Sequence, residues 1–285
     1  MLETLRNAWK IADLRKRIQY TVLMLIVFRV GAFVPVPGMD PLKVRAMIEQ
    51  GALLGFFDII SGGAFKQFSV FAMSISPYIN SSIIVQLLTV VIPKWEEMSK
   101  EGESGRKILA QYTRYGTVIL GLIQAIGLSI GFRSAMKHPG ILSTVVVVVS
   151  LTAGTAFLMW LGEQITEKGI GNGISMLIFA GIVSRLPGSG YQLFQMLKIG
   201  STNIFMVLIF AVFSLAVIVG VIAVTEAERR VPVQYAKRVV GRKVYGGQST
   251  HIPIKVNSAG VLPVIFAMSI LSFLSTLAGF FPNNT

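Results

Sequence analysis

The sequence predicts an all-α protein whose helices cross a membrane several times. Of its 285 residues, 53% are hydrophobic and only 14% are charged, whereas about 25% of the residues of a soluble domain are charged. Some windows of helical length, such as residues 204–224, contain no charge at all. A helix on a soluble core would show a polar face within such a window, so the pattern indicates contact with lipid.

Seven stretches are long and apolar enough to form spans, since crossing the hydrocarbon core takes about 20 residues of helix. The first ends in a Pro-Val-Pro-Gly run that cannot continue a helix, and the fifth is interrupted at residues 185–188. Residues 53–61 are apolar but too short to span. The predicted spans are residues 18–36, 71–92, 115–132, 141–162, 174 onward, 204–224 and 259–281.

The distribution of lysine and arginine predicts a cytoplasmic N-terminus, formed by an amphipathic segment at residues 1–17. In this orientation the inner segments hold 18 basic residues and the outer segments seven, and Arg29 lies within the first span. Cytoplasmic loops carry the excess of basic residues in membrane proteins. Seven spans place residue 285 outside, and the abrupt end after the seventh span favours a fragment of a longer protein.

Catalytic and metal-binding patterns are missing from the sequence, so we expect neither an enzyme nor a cofactor. There is no cysteine, and His138 and His251 have no partners at ligand spacing. Residues 169–175 resemble a phosphate loop but lack its Lys-Ser/Thr and follow a span rather than a strand. We expect a turn there, with Asn172 or a glycine as the N-cap of the next helix.

The second span is unusually polar, and two explanations stay open. In lipid each polar side chain needs a partner or water, so these residues face either neighbouring helices or an aqueous path. Ile75 and Ile79 are four residues apart on one helical face, a spacing that ordinary core packing explains. The polar members are Ser74, Ser76, Asn80, Ser81, Ser82 and Gln86, and Pro77 lies among them.

Three further features allow alternatives. Residues 53–61 form either an interfacial helix or a re-entrant segment that folds into a cavity. Arg29 either extends to the membrane surface or lines the protein interior. The loop 225–258 has a net charge of +5, and its β-branched residues around glycines indicate a β-hairpin-like excursion. The positive charge of this loop either sets the orientation of the protein in the membrane and attracts anionic lipid, or forms a docking surface for a polyanion such as ribosomal RNA.

Several motifs resemble the SecY family of protein-conducting channels, and the resemblance extends over essentially the whole chain. The matching strings are PVPG (35–38), SGGA (61–64), SPYINSSIIVQLL (76–88), KEGESGRK (100–107), QYTRYGT (111–117), LGEQITE (161–167), GNGIS (171–175) and QSTHIPIKVN (248–257).

The resemblance implies an hourglass channel built from two inverted halves of five spans, sealed by a ring of aliphatic side chains and an outer plug. This chain would supply the first half at residues 18–202 and an incomplete second half at 203–285. The implied ring members are Ile75, Ile79, Ile178 and Ile265. The plug would be residues 53–64, with Leu54, Phe56, Phe57, Ile59, Ile60, Ser61, Gly62 and Gly63. The lateral gate would include Asn80, Ile83, Gln86 and Phe273.

The same resemblance implies the partners and the place of action. The chain would be the central channel subunit in the bacterial cytoplasmic membrane, with SecE and SecG as companion subunits. The basic loop would contact the SecA motor or the ribosome through Lys237, Arg238, Arg242 and Lys243. Signal peptides, nascent polypeptides and anionic lipids are the other implied partners.

Two other functions compete with a channel. A secondary transporter for a small solute also uses interrupted spans, but it usually has carboxylates at the membrane midplane. The predicted spans contain none, because Asp58 lies in the short segment before the second span. A structural anchor would not explain so many polar residues in one span.

Overall fold

The structure is a computed structural model, and it describes residues 9–50, 58, 61–233, 238–240, 243–245, 250–257, 260 and 267. The described helices are α1 (Ala12–Gly31), α2 (Pro41–Gln50), α3 (Ser76–Val91), α4 (Pro93–Lys100), α5 (Glu103–Gly131), α6 (Ile141–Lys168), α7 (Gly173–Val183), α8 (Leu186–Lys198) and α9 (Ile204–Glu226). The described strands are β1 (Glu228–Val233), β2 (Arg238–Val240), β3 (Lys243–Tyr245) and β4 (Thr250–Lys255).

The described helices match most of the predicted spans. Four stretches are long and apolar enough to cross a membrane, namely α5, α6, the pair α7 and α8 taken together as Gly173–Lys198, and α9. A fifth results if α3 and α4, which are bent by 103° at Ile92, form one broken span. The break between α7 and α8 falls at Ser184 and Arg185, where the sequence predicts an interruption. The seventh predicted span lies almost entirely outside the described residues.

The ends of the first two predicted spans were wrong. Helix α1 ends at Gly31, whereas the prediction extends to residue 36, because residues 34–36 leave the helix to pair with residues 68–70. Helix α3 begins at Ser76, whereas the prediction begins at residue 71. Pro77 therefore occupies the first turn, where a helix tolerates proline without losing a hydrogen bond.

The described residues up to Ser189 form one compact unit, and its core is built from α1, α3, α5, α6 and α7. Helix α5 packs against both α3 and α6, and α6 packs against α1 and α7. Glycines allow the close approaches. A Cβ on Gly173 would lie 2.0 Å from the carbonyl oxygen of Gly162, and one on Gly116 would lie 2.3 Å from Ser81 Oγ. Small residues serve this purpose in membrane helix pairs.

Residues 61–75 cross the protein interior without forming a helix. Val36 donates its N–H to the Phe68 carbonyl (3.0 Å), and Val70 donates to the Val34 carbonyl (2.9 Å). Phe68 has a φ of 45° and Ser74 a φ of 54°, and residues other than glycine seldom adopt such positive values. Both residues are buried. Non-helical backbone is tolerated at membrane depth only where protein surrounds it, as it does here.

Asn172 caps α7 as the sequence predicts. Its side-chain oxygen accepts a hydrogen bond from the Ser175 N–H at 3.1 Å, which satisfies one of the free donors of the first turn. Nearby, Thr21 Oγ1 accepts from the Ile170 N–H (3.1 Å), so the turn between α6 and α7 is held against α1.

Helix α4 continues from α3 at a sharp angle and packs beside α5. Trp95 stacks on Tyr112 with ring centroids 4.9 Å apart, which fixes the direction of the bend. On its exposed face Lys100 donates to Glu96 (2.6 Å), and this hydrogen bond lowers the pKa of the Glu96 carboxyl.

The second compact unit, residues 190–267, contains α9 and the described strands. Strand β1 pairs with β4 and β2 pairs with β3, both antiparallel. The predicted β-hairpin-like excursion at 225–258 is therefore confirmed. In the described structure no residue of α9 is buried, which fits a helix whose neighbour is lipid or protein outside the described residues.

Gly154 offers a direct test of the packing around residues 61–75. A Cβ on Gly154 would lie 2.0 Å from the Val70 carbonyl oxygen, a clash with backbone that cannot easily move. We expect Gly154→Ala to destabilise the solubilised protein by about 1–3 kcal/mol and to lower its melting temperature. Gly131→Ala is the control, because a Cβ there would have no atom within 4 Å. Equal melting temperatures for the two variants would contradict this packing.

Candidate functional site

Three of the four predicted ring residues lie in one apolar cluster. Ile75 is 2% exposed and belongs to its buried part, whereas Ile79 and Ile178 are half-buried and pack against it. Ile75 is the N-cap of α3, and the Ile79 N–H donates to its carbonyl (3.1 Å), so the two side chains are one turn apart. Ile178 comes from the middle of α7. The fourth residue, Ile265, lies outside the described residues.

Helices α1, α6 and α7 contribute most of the other side chains of this cluster. Phe71 stacks between Phe28 of α1 (6.2 Å between centroids) and Phe157 of α6 (5.9 Å). A Cβ on Gly31 would lie 2.1 Å from the Phe71 ring, so only glycine leaves room for that ring. The buried members of the cluster are Phe28, Ala32, Ala64, Phe71, Ile75, Leu158, Leu161, Ile165 and Leu177. The isoleucines thus pack against a buried cluster drawn from several elements.

The polar face of α3 is used at least partly for helix contacts. Ser81 is buried, and its hydroxyl donates to the Thr113 carbonyl of α5 at 2.7 Å. Of the residues predicted to form a lateral gate, Asn80 and Ile83 are buried and Gln86 is exposed. Phe273 lies outside the described residues, so the gate stays a prediction.

The predicted plug is described only at its end. Leu54, Phe56, Phe57, Ile59 and Ile60 lie outside the described residues, whereas Asp58 and residues 61–64 are within them. Gly62 and Gly63 have φ values of 66° and 90°, which explains why glycine is present at both positions. A Cβ on Gly62 would lie 2.8 Å from Gly181 Cα. The end of the segment therefore lies directly on the backbone of α7.

Arg29 faces the protein interior. Its Nη1 donates to the Gly62 carbonyl (2.9 Å) and to Ser184 Oγ (3.1 Å), and its guanidinium lies 4.6 Å from the centre of the Phe33 ring. Of the two alternatives that the sequence allows, the structure favours a role inside the protein. This arginine joins the end of α1 to the predicted plug and to the end of α7.

Sequence reasoning missed an ion pair between Asp58 and Arg185. The Asp58 side chain is 1% exposed, and its Oδ2 accepts from Arg185 Nη2. Its other oxygen accepts from the Lys66 N–H at 2.8 Å. A signal was present, because Asp58 is the one acidic residue between positions 51 and 95. A lone carboxylate in an apolar stretch needs a cation, and Arg185 is the basic residue that interrupts the fifth span.

Two of the four predicted docking residues of the basic loop lie on described strands. Arg238 begins β2 opposite Tyr245, and Lys243 begins β3 opposite Val240. Lys237 and Arg242 lie outside the described residues. At the base of the loop, Arg229 and Arg230 are exposed on β1. A short antiparallel strand pair whose sequence is basic can approach a polyanion.

Among the described residues no group of three or more His, Asp or Glu side chains could hold a metal ion. The first compact unit contains the apolar cluster and the ion pair between Asp58 and Arg185, and the second compact unit contains the basic loop. An apolar cluster can exclude water and ions, and a basic loop can recognise a partner by charge.

Comparisons with known proteins agree on one family. The family model described as SecY matches residues 69–285. Proteins called protein translocase subunit SecY are 51% identical in Halalkalibacterium halodurans, 48% in Bacillus subtilis and 47% in Escherichia coli. These alignments cover 99%, 100% and 96% of this chain, and 67%, 68% and 64% of the relatives. The chain thus spans about two thirds of the length of these curated relatives.

Solved structures share the fold at lower identity. A protein-conducting channel aligns with a TM-score of 0.65 and 19% identity over 93% of this chain and 58% of that chain. A SecY channel whose plug domain is described as stabilising the closed state aligns with a TM-score of 0.67 and 18% identity. Sec61 in a canine ribosome–channel complex aligns with a TM-score of 0.65 and 18% identity. Both alignments cover 93% of this chain and 58% of the other chain. Together with the helical membrane fold, the sequence matches show that this chain belongs to the SecY family.

Proposed function

We propose that this chain forms most of the central subunit of a protein-conducting channel. The channel moves unfolded secretory polypeptides across the bacterial cytoplasmic membrane and releases apolar segments sideways into lipid. One observation carries the proposal: Ile75, Ile79 and Ile178, which the family resemblance implies as pore residues, all belong to or pack against one apolar cluster. The relatives' name, protein translocase subunit, supports the same activity.

The chemistry of this cluster suits a seal. A narrow apolar constriction excludes water and ions, because their hydration shells find no replacement there. Dispersion contacts are not directional, so aliphatic side chains can close around a passing polypeptide of any sequence. Such a channel is not catalytic. The half-buried Ile79 and Ile178 are the members placed to touch a substrate, and Ile265 would complete the ring.

The lateral exit would run along α3. Asn80, Ile83 and Gln86 lie on successive turns of this helix, and Phe273 would contribute from the seventh span. A signal segment that enters from the pore would leave here, because lipid solvates its apolar side chains better than an aqueous path does.

The partners follow from charge and from the family. SecE and SecG are the proposed companion subunits, and the N-terminus would be cytoplasmic because basic residues concentrate on that side. The loop at 225–258 would then face the cytoplasm and meet the SecA motor or the ribosome. Sec61, which aligns with this fold, is described in a ribosome–channel complex.

Cross-linking tests whether the isoleucine cluster lines the path of the polypeptide. These 285 residues contain no cysteine, so Ile79→Cys and Ile178→Cys each introduce the one thiol of this sequence, and any cysteine elsewhere in the complete subunit is replaced by serine. We expect both to cross-link to a secretory precursor arrested during translocation in the complete subunit containing this sequence. Ile84→Cys and Phe179→Cys are matched controls, because these residues of the same helices are 45% and 59% exposed and point elsewhere. Cross-links at the controls but not at Ile79 and Ile178 would contradict a pore at this cluster.

Charge reversal tests the docking role of the basic loop. We expect Arg242→Glu with Lys243→Glu to reduce motor- or ribosome-coupled export strongly, because a polyanionic or acidic partner loses two cations. Membrane insertion of the variant should remain normal. Arg229→Glu with Arg230→Glu removes the same charge from the base of the loop and should retain most export. Export is measured as the amount of precursor exported per channel. If the two variants lose export equally, the net charge of the loop matters and the position of the charges at its tip does not.

A further inference from the structure

Helix α5 supports α3 on the side of α3 that faces away from the apolar cluster. A Cβ on Gly116 of α5 would lie 2.3 Å from Ser81 Oγ, and one on Gly121 would lie 3.8 Å from Pro77 Cβ. Ile79 is two residues from both Pro77 and Ser81, which places it about 200° around the helix from each of them. Ile79 therefore packs on the cluster while the opposite side of α3 rests on α5.

Helix α6 has the same division of faces. Leu161 and Ile165 belong to the buried part of the cluster, and Glu163 lies between them in the sequence, about 200° around the helix from each. On that other side, Glu163 Oε1 accepts from Arg114 Nε of α5 at 2.7 Å. Among the residues that the structure describes, this is the one ion pair that joins two of the helices α1 to α9.

Two consecutive residues of α5 therefore hold α3 and α6 together, and we call Thr113 and Arg114 the α5 bridge. The Thr113 carbonyl accepts from the Ser81 hydroxyl of α3 at 2.7 Å, and the next residue pairs with Glu163 of α6. The same carbonyl also accepts from the Thr117 hydroxyl at 2.7 Å, and both threonines are buried. Because the two bridge residues are adjacent in one helix, a displacement of Arg114 also displaces the carbonyl that holds Ser81.

The ion pair of the bridge is only partly shielded from water. The Arg114 side chain is 48% exposed and that of Glu163 is 27% exposed, and both residues lie at the predicted inner ends of their spans. Tyr78, which precedes Ile79, lies close enough to both charges to interact with them electrostatically. A partly hydrated pair contributes modestly to stability. We therefore expect its loss to shift α3 without unfolding the protein.

We propose that Arg114 and Glu163 act through the α5 bridge to position Ile79 relative to Leu161 and Ile165, and thereby affect how fast a polypeptide passes through the channel. This inference rests on the channel function proposed above. Neither charged residue belongs to the apolar cluster, so both are positioning residues. The cluster alone does not fix α3, because dispersion contacts are not directional, whereas the hydrogen bonds of the bridge are.

A distance measurement tests the bridge in the complete subunit, reconstituted with its companion subunits. Spin labels are attached at Leu87→Cys of α3 and Lys168→Cys of α6, because both residues are exposed, and any cysteine outside these 285 residues is replaced by serine. We expect Arg114→Gln and Glu163→Gln each to shift or broaden the distribution of distances between the labels. The bridge is wrong if both variants keep the distance distribution of the parent.

The translocation rate tests whether the bridge matters for transport. We expect Arg114→Gln to slow translocation of a secretory precursor by roughly 2- to 5-fold, the change that a partly exposed ion pair makes in an equilibrium. Arg114→Lys should keep most of the rate, because an ammonium can also donate to Glu163 Oε1. Equal rates for Arg114→Lys and Arg114→Gln contradict the proposal, since the charge would then have no role.

The double variant Arg114→Gln with Glu163→Gln tests whether the two residues act as a pair. We expect it to be no slower than the slower single variant, because each single substitution already removes the shared interaction. If the slowing in the double variant equals the product of the two single effects, the residues act independently and the proposal is overturned.

Arg17→Gln is the matched control. Arg17 is also 48% exposed and pairs with Asp13, but both residues belong to α1, so no pair of helices is joined. This variant should keep the distance distribution and the rate of the parent, and a slowing equal to that of Arg114→Gln would count against the bridge. Variants with altered distances that translocate at the parent rate overturn the positioning role while the channel function stands. A parent that moves no precursor overturns the channel function and this role with it.

Discussion

The need to satisfy every backbone polar group inside a membrane governs this structure. Residues 61–75 run through the interior as turns rather than as a helix, so the N–H and C=O groups that these turns do not pair need partners from elsewhere. Pairing with residues 34–36 provides some of these partners, and Arg29 provides one for the Gly62 carbonyl. The helices around this stretch must be close enough to exclude lipid, which explains the glycines at positions 31 and 154.

This constraint also places the isoleucine cluster. Because residues 61–75 are not helical, α3 begins at Ser76, and Ile75 becomes its N-cap. The Pro at position 77 is then compatible with the helix, whereas in the middle of a longer span it would remove a hydrogen bond. Ile75 and Ile79 consequently lie at the first turn of a helix rather than on the side of a continuous rod.

Much of this was predictable from the sequence, and the failures have physical causes. Uncharged windows identified α5, α6 and α9, and the Asn172 cap and the β-hairpin-like loop were confirmed, because these depend on local pattern. The ends of the first two spans were wrong, because pairing of residues 34–36 with 68–70 overrides local hydrophobicity. The Asp58–Arg185 pair was missed, because two residues 127 positions apart meet only through the fold. The resemblance to a family, and not any spacing, selected Ile178.

Apolar packing and an ion pair serve different requirements in this structure. The cluster that includes Ile75, Ile79 and Ile178 is held by dispersion contacts, which are not directional, so such a surface can adapt to a substrate of any sequence. The ion pair between Asp58 and Arg185 requires one geometry, because a buried carboxylate without a cation is unfavourable. Because neither charged residue belongs to the aliphatic cluster, no charge attracts water or ions to the side chains that are proposed to exclude them.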